Sequence, residues 1–508
     1  MNTLNTLYRQ ASRRRGRAEL FADAAHRISG HVAWAGSVHM ANTVRSLGVQ
    51  PGAVVAFLST CSARHAVSWF GVLQGGYVAC NLHMRETPQR LGETLRWLGA
   101  TVLIHDEDQA DLARQAVALS GCECRRICLG EQQDAAASWS EPPADASDAS
   151  LPVAAPGDVA AIILSSGSTG LPKGVVHTQA SLAMASTEGG FPLATPSRSD
   201  VGLLYMQPSF AGWSIIALPL VAAGAKIVFG ERFTPPSFLD TVEKERVSIA
   251  PLVPTMWRMV FNEDLAARDL SSLRVATIAG EPPAASDIKA LHERVCTQLV
   301  SMYLSAEGHM ASGVIAFTPS LLRPGKAAST GRPAPGVRLR IIDPEGGFDD
   351  ALPQGVEGEI AIAGASMASG YWKDPELSRM RFRDGWWRSG DLGRIDEDGD
   401  LWVTGRIDNV INSGGIKVSG EEIERVLLAH PGVAQCAVAG VPDARFGRRI
   451  EAWIVARDVQ LRSDALESFC RAQPGLSSLK VPKAFHFVSA LPTGPTGKVQ
   501  RRALRGDT

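Results

Sequence analysis

VAAIIL, residues Val159 to Leu164, empties without a break into SSGSTG, Ser165 to Gly170, and then into LPKG. A short continuous apolar run bounded by turn residues reads as a buried strand. The run after it has almost no side chain to bury, so it cannot be core. It is either a slack linker or backbone kept bare so that something can approach it closely. Gly and Ser leave backbone N–H groups accessible, and successive N–H groups can form an anion-binding concavity. Ser165, Ser166, Ser168 and Thr169 add hydroxyl donors, Gly167 and Gly170 the bare backbone, and Lys173 a positive charge beside Pro172. Together they suit a polyphosphate. The order is not the Walker order G-x-x-x-x-G-K-[ST], which disfavours a P-loop kinase or ATPase.

The strand is one of many. GAVVAFLS (Gly52 to Ser59), ATVLIHD (Ala100 to Asp106), AKIVFG (Ala225 to Gly230), LRVATIAG (Leu273 to Gly280) and VRLRIID (Val337 to Asp343) read as further strands. ARHAVSWFGVLQGG (Ala63 to Gly76) reads as a helix between two of them. Strands alternating with helices argue for an α/β fold with largely parallel sheets. A length of 508 residues implies more than one domain. The Ala-, Ser-, Pro- and Asp-rich stretch from Asp134 to Asp158 reads as a surface connector.

A formal net charge of -1 gives no reason to expect nucleic acid or an anionic membrane surface as a partner. Eight scattered cysteines with only Cys122 and Cys124 close together supply no zinc spacing and fit free thiols in a reducing cytoplasm. The apolar run Ile215 to Ala225 is about half the ~20 residues a membrane span needs. RRRGR, Arg13 to Arg17, reads as a solvated helix face rather than a transit peptide.

After Gly405–Asp408 the texture changes. SGEEIERVLLAH, Ser419 to His430, reads as a helix with a capping box of Ser419 and Glu422, stopped by Pro431-Gly432. VAQCAVAGV and RIEAWIVAR read as strands and SDALESFCRAQ as a second helix. The expectation is a large multi-sheet α/β N-terminal domain over residues 1–407 and a small α+β domain over 408–508.

The loop STGLPKG is followed by IAGEPP (Ile278 to Pro283), YLSAEG (Tyr303 to Gly308), GEIAIAG…SGYW (Gly358 to Trp372), WWRSGDLG (Trp386 to Gly393), GRIDNVINSGGIKVSGEEIE (Gly405 to Glu424) and PTGPTGKVQRR (Pro492 to Arg502). In that order the motifs resemble the adenylate-forming superfamily of acyl-CoA synthetases, aryl-CoA ligases, peptide-synthetase adenylation domains and luciferases. The resemblance runs from about residue 30 to Arg502. It implies an AMP-forming acid–thiol ligase using ATP, Mg²⁺ and CoA. A carboxylate attacks the α-phosphorus of ATP, and a thiol then attacks the acyl-adenylate.

Carried over residue by residue, the resemblance implies phosphate binding by Ser165, Ser166, Gly167, Ser168, Thr169, Gly170 and Lys173. It places Gly280, Glu281, Pro282 and Tyr303 against adenine, Asp391 and Arg406 on the ribose, and Glu307 on Mg²⁺. Lys498 becomes the catalytic lysine, Asp408 the hinge about which a mobile 408–508 domain turns, and Gly414, Gly415 and Lys417 the lining of the CoA channel. His177 and His309 read as satisfied structural histidines.

Two departures bear on the substrate. Ala306 stands where the family usually has threonine, removing a hydroxyl donor. Leu304 stands where acetyl-CoA synthetases carry tryptophan and long-chain and aryl enzymes glycine, which implies a short or compact acyl group. Ala211, where many relatives have histidine, and Trp213 complete an apolar acyl wall that suits an apolar acid rather than an amino acid. The rival readings are an adenylation enzyme loading an acyl carrier protein and a catalytically silent nucleotide-binding relative.

Overall fold

The structure is a computed structural model that describes residues 3–130, 135–138, 151–165, 172–280, 283–413, 416–443, 447–457, 460–473, 476–493 and 499–505. The chain divides into two compact units, Met1–Leu339 with Ile362–Trp387 and Arg340–Ala361 with Arg388–Thr508.

Among the described residues, the first unit is built on two large sheets. One has eight strands, with Val54–Leu58 and Val78–Asn81 near its middle and Val159–Ser165 beside them. The other has nine, including the parallel run Lys226–Phe229, Val201–Leu204, Ile249–Leu252, Val275–Ala279 and Leu299–Ser305. The expected strands are present, most of them trimmed by one or two residues at their ends.

Successive side chains of a strand face opposite sides of its sheet, and here both sides are apolar. Val55 and Phe57 join a central core that also takes Ile249 and Val275 from the other sheet, whereas Val54, Ala56 and Leu58 join an outer core. Helices Gly30–Ser46, Ala63–Gln74, Gln179–Glu188 and Ala211–Ala223 supply the central core; Pro88–Leu98 and Ala110–Ser120 cover the eight-stranded sheet from outside. Pro235–Glu245, Pro254–Val260 and Ala285–Arg294 do the same for the nine-stranded sheet through Ala250, Leu252, Ala276 and Ile278. Burial on both faces explains why these strands read as unbroken apolar runs.

The arginine run ends the helix Leu4–Arg15. Arg13 is exposed as expected, but Arg14 and Arg15 do more than face solvent. Arg14 donates to the Ala222 carbonyl at 2.8 Å, and Arg15 to those of Gly224 at 3.2 Å and Glu19 at 2.6 Å. Two of these carbonyls close the helix Ala211–Ala223, whose terminal C=O groups lack intrahelical partners and attract cations. That helix is apolar on all sides and contains Pro219. No described helix is long and apolar enough to cross a membrane.

In the second unit the antiparallel pair Val433–Asp443 and Gly447–Ala456, with Ala484–Phe487 alongside, packs on helices Gly420–Leu428 and Ser463–Arg471 through Ile423, Leu427, Val438, Ile454 and Leu466. Ser419 stands at the N-cap of Gly420–Leu428, but the expected capping box does not form. Its hydroxyl points to the Thr404 carbonyl at 3.1 Å and Glu421 Oε2 at 3.0 Å, while Glu422 pairs with Lys480 at 2.7 Å. A charge-assisted partner elsewhere outweighs the local cap.

Candidate active site

The strand Val159–Ser165 runs antiparallel to Lys173–Thr178, and Ser165 lies directly opposite Lys173. Ser166, Gly167, Ser168, Thr169 and Gly170, between them, lie outside the described residues, as do Glu281, Pro282, Gly414, Gly415 and Lys498. On its other side Lys173–Thr178 pairs with Gly370–Tyr371, and Trp372 N–H donates to the Gly174 carbonyl at 2.7 Å. A Cβ on Gly174 would come within 2.8 Å of Ile162, 2.9 Å of Trp97 and 3.0 Å of Trp372, so no larger residue fits there.

That pairing carries Tyr371 to the expected metal ligand. Glu307 sits in the tight connection between Leu299–Ser305 and His309–Phe317, where Ser305 pairs with His309. The backbone of the connection is pinned on both sides. Ala368 N–H donates to the Glu307 carbonyl at 2.7 Å, Ser366 to that of Gly308 at 3.1 Å, and His177 Nε2 to that of Ala306 at 2.8 Å. The Tyr371 hydroxyl donates to Glu307 Oε1 at 3.0 Å and accepts from Trp387 Nε1 at 3.3 Å. Burial and the Glu307 carboxylate raise the pKa of this phenol and keep it a donor. Lys173 Nζ stands 5.9 Å from the centre of the Tyr371 ring, within cation–π range. Lys173, Tyr371 and Glu307 thus form one chain of contacts.

Tyr371 was not singled out from the sequence. SGYW was visible as a motif, but nothing local tells that its tyrosine meets an acid 64 positions earlier. The Glu307 carboxylate is a hard oxygen donor of the kind Mg²⁺ takes, so the residue present fits that ion.

Elsewhere in the first unit, Ala279 pairs with Met302, which brings Gly280 and Tyr303 to the same end of adjacent parallel strands. Ala211 and Leu304 both pack, half-buried, against the central core. Trp213 lies inside that core, 1% exposed, edge-on to His65 at 5.2 Å and Trp69 at 5.5 Å.

In the second unit Asp391 and Arg406 are cross-strand partners, with Arg406 Nη1 2.8 Å from Asp391 Oδ1. Gly390, at φ 75°, makes the turn into Asp391 in a region where a side chain is strained, and its N–H donates to the buried Glu359 at 2.9 Å. Asp408 is exposed, 4.0 Å from Arg406. Lys417 pairs with Glu345 at 2.7 Å on the surface.

The buried histidines set a pH dependence. His177 and His309 lie edge to face with ring centres 4.4 Å apart, both fully buried. Burial lowers the pKa of His177 to about 4 and of His65 to about 3, and pushes that of His309 well down. An imidazole neutral in the folded state but titrating near 6.5 when unfolded loses stability as pH falls below 6.5. At pH 5.5, His65 and His177 together cost roughly 3 kcal/mol. Asp106 opposes this, because burial raises its pKa to about 6; its protonation returns about 1 kcal/mol. The thermal midpoint is therefore expected to fall between pH 7.5 and 5.5 by calorimetry, and an unchanged midpoint contradicts the neutral, buried assignment.

Comparison with known proteins identifies the class. The family described as AMP-binding enzyme matches residues 7–372, and its C-terminal domain matches residues 422–498. The chain belongs to this adenylate-forming family. It is 32% identical over 499 residues to a feruloyl-CoA synthase of Amycolatopsis, covering 97% of this chain and 95% of that one. It is 30% identical to 4-coumarate–CoA ligase 5 of Oryza sativa, covering 92% and 87%. Among solved structures, the anthranilate CoA ligase AuaEII in complex with anthranoyl-AMP superposes with a TM-score of 0.84 at 25% identity, covering 99% and 96%. The protein is an AMP-forming acid–CoA ligase that acts through an acyl-adenylate, with ATP, Mg²⁺ and CoA.

Proposed function

We propose that the acid is compact, with an apolar body that an aromatic ring satisfies, and that free CoA is the thiol acceptor. The observation that carries this reading is that Ala211 and Leu304 pack against one apolar core. Trp213, fully buried, backs that core. An apolar wall favours an apolar acyl group, and Leu304 leaves less room than glycine would. The named relatives include ligases of feruloyl and coumarate type, whose acids are aromatic.

Lys498 bridges the carboxylate and the α-phosphate in the first step. Ser165, Lys173 and the loop between them hold the outer phosphates, Gly280 and Tyr303 flank adenine, Asp391 and Arg406 hold the ribose, and Glu307 holds Mg²⁺. In the second step residues 408–508 turn about Asp408, withdraw Lys498, and bring Gly414, Gly415 and Lys417 to the CoA channel. A carrier-protein acceptor is the lesser reading; it is supported by 30% identity over 480 residues to a fatty acid–[acyl-carrier-protein] ligase of Streptomyces coeruleorubidus.

Mass spectrometry of reactions with ATP, Mg²⁺, CoA and acids from acetate to octanoate, benzoates and phenylpropenoates tests the proposal. AMP and a new acyl-CoA with a compact acid are expected. A preference for octanoate overturns the compact pocket, and acyl-AMP without acyl-CoA overturns free CoA.

A further inference from the structure

A cavity of about 10 Å³ lies in the central core at the carboxyl ends of the parallel strands Val78–Asn81 and Val159–Ser165. Ligands of α/β sheets gather at this edge, and here it is also where the Ser/Gly loop begins. The cavity holds one water-sized group and no more. Its apolar walls include Trp69, Leu164 and Leu182, and its polar lining is Asn81, Ser209 and Ser214. Phe210 and Ser214, both on the lining, flank Ala211 in the chain.

The amide of Asn81 is oriented without ambiguity. Its Nδ2 donates to the Pro208 carbonyl at 2.9 Å, which a carbonyl oxygen in that place could not do. Its Oδ1 is consequently the acceptor left over, and it is buried with no hydrogen-bond partner among the described residues. A buried acceptor without a donor costs stability unless something supplies one. Ser209 is occupied, its Oγ 2.8 Å from His83 Nδ1, and Ser214 Oγ donates to the Ala211 carbonyl at 3.0 Å, leaving lone pairs to accept. Burial lowers the pKa of His83, so that imidazole brings no charge to the site at neutral pH. The cavity therefore offers an acceptor in Asn81 Oδ1, hydroxyl oxygens that also accept, and room for one oxygen. A hydroxyl group matches it. A carboxylate does not, because no described residue lining the cavity is a cation.

We propose that this cavity is a subsite for a single hydroxyl at the far end of the acyl substrate, donating to Asn81 Oδ1. The inference rests on the compact-acid reading and narrows it to acids with one terminal hydroxyl. Specificity of this kind is strong because an acid lacking the hydroxyl leaves Asn81 Oδ1 unpaired.

The test is the ratio of kcat/KM for acids in matched pairs: 4-hydroxycinnamate and cinnamate, 4-hydroxybenzoate and benzoate, 6-hydroxyhexanoate and hexanoate. For whichever pair is adenylated, the wild-type protein is expected to favour the hydroxylated acid by about tenfold or more. Asn81→Ala removes the acceptor and Ser214→Val fills the cavity with an apolar side chain; each is expected to bring the ratio close to one. Because both acids are measured on one preparation, partial loss of folded protein cancels, and Ser214→Val decides the matter if Asn81→Ala does not fold. A wild-type ratio near one, as when the cavity only holds a water, overturns the inference and leaves the compact-acid reading standing. A ratio that both variants preserve does the same. Failure to adenylate either member of any pair overturns the subsite, and the compact-acid reading falls with it only if the shorter acids fail as well.

Discussion

Lys498→Ala slows acyl-adenylate formation by about a thousandfold. The first step brings a carboxylate to a polyphosphate, so two anions approach while charge builds on the α-phosphate. A lysine ~4 Å from that charge, at an effective dielectric of ~20, contributes about 4 kcal/mol, and each 1.36 kcal/mol is tenfold in rate. Lys498 itself lies outside the described residues, but its flanks are anchored within the second unit. Thr493 pairs with Val499, and Gln500 N–H donates to the Pro492 carbonyl at 2.8 Å. Arg501 grips the half-buried Glu424 at 2.8 Å, and Glu424 also accepts from Val438 N–H at 2.7 Å. Alanine leaves these anchors intact. Single-turnover release of pyrophosphate measures the first step. Supplied acyl-AMP should still be converted to acyl-CoA at close to the wild-type rate, because the proposed role of the lysine is confined to the first step. Loss of both half-reactions together would point to a folding defect instead of a missing charge.

Glu307→Gln lowers the rate of the same step on the order of a hundredfold and moves Mg²⁺ saturation to higher concentration, consistent with the several kcal/mol a bound metal contributes. The substitution is informative because the site is so well held. The Ala306, Glu307 and Gly308 carbonyls are each tied to another segment, and Tyr371 can still donate to the glutamine Oε1. Only the charge changes, so the thermal midpoint should stay close to that of the unmodified protein. Tyr371→Phe keeps the ring beside Lys173 and loses only the hydroxyl; its cost should be about tenfold, the worth of one hydrogen bond. Initial rates against free Mg²⁺ measure both. A Glu307→Gln protein with an unaltered Mg²⁺ curve would remove Glu307 from the metal.

The parallel strands were legible because burial on both faces turns them into unbroken apolar runs, as at Val54–Leu58 and Val159–Ser165. Contacts made across sequence distance were not. Tyr371 reaches Glu307 because Gly370–Tyr371 is paired with the strand leaving the Ser/Gly loop, and that register is a property of the sheet. Ser419 shows the converse. Its spacing to Glu422 is that of a capping box, yet Thr404 and Lys480, distant in the chain, take the two side chains. Arg14 and Arg15 read as solvated because the carbonyls they meet, at the end of Ala211–Ala223, lie about two hundred residues away. Asn81 carried no signal at all; only a cavity makes its second amide atom meaningful.

The acyl-adenylate route is tested most directly with a carboxylic acid labelled with ¹⁸O in both carboxyl oxygens. Attack of a carboxylate oxygen on the α-phosphorus, followed by thiol attack on the acyl carbon, leaves one of those oxygens on the nucleotide. The predicted result is AMP carrying one ¹⁸O and acyl-CoA retaining the other. Unlabelled AMP, or ADP with inorganic phosphate in place of AMP, would contradict it.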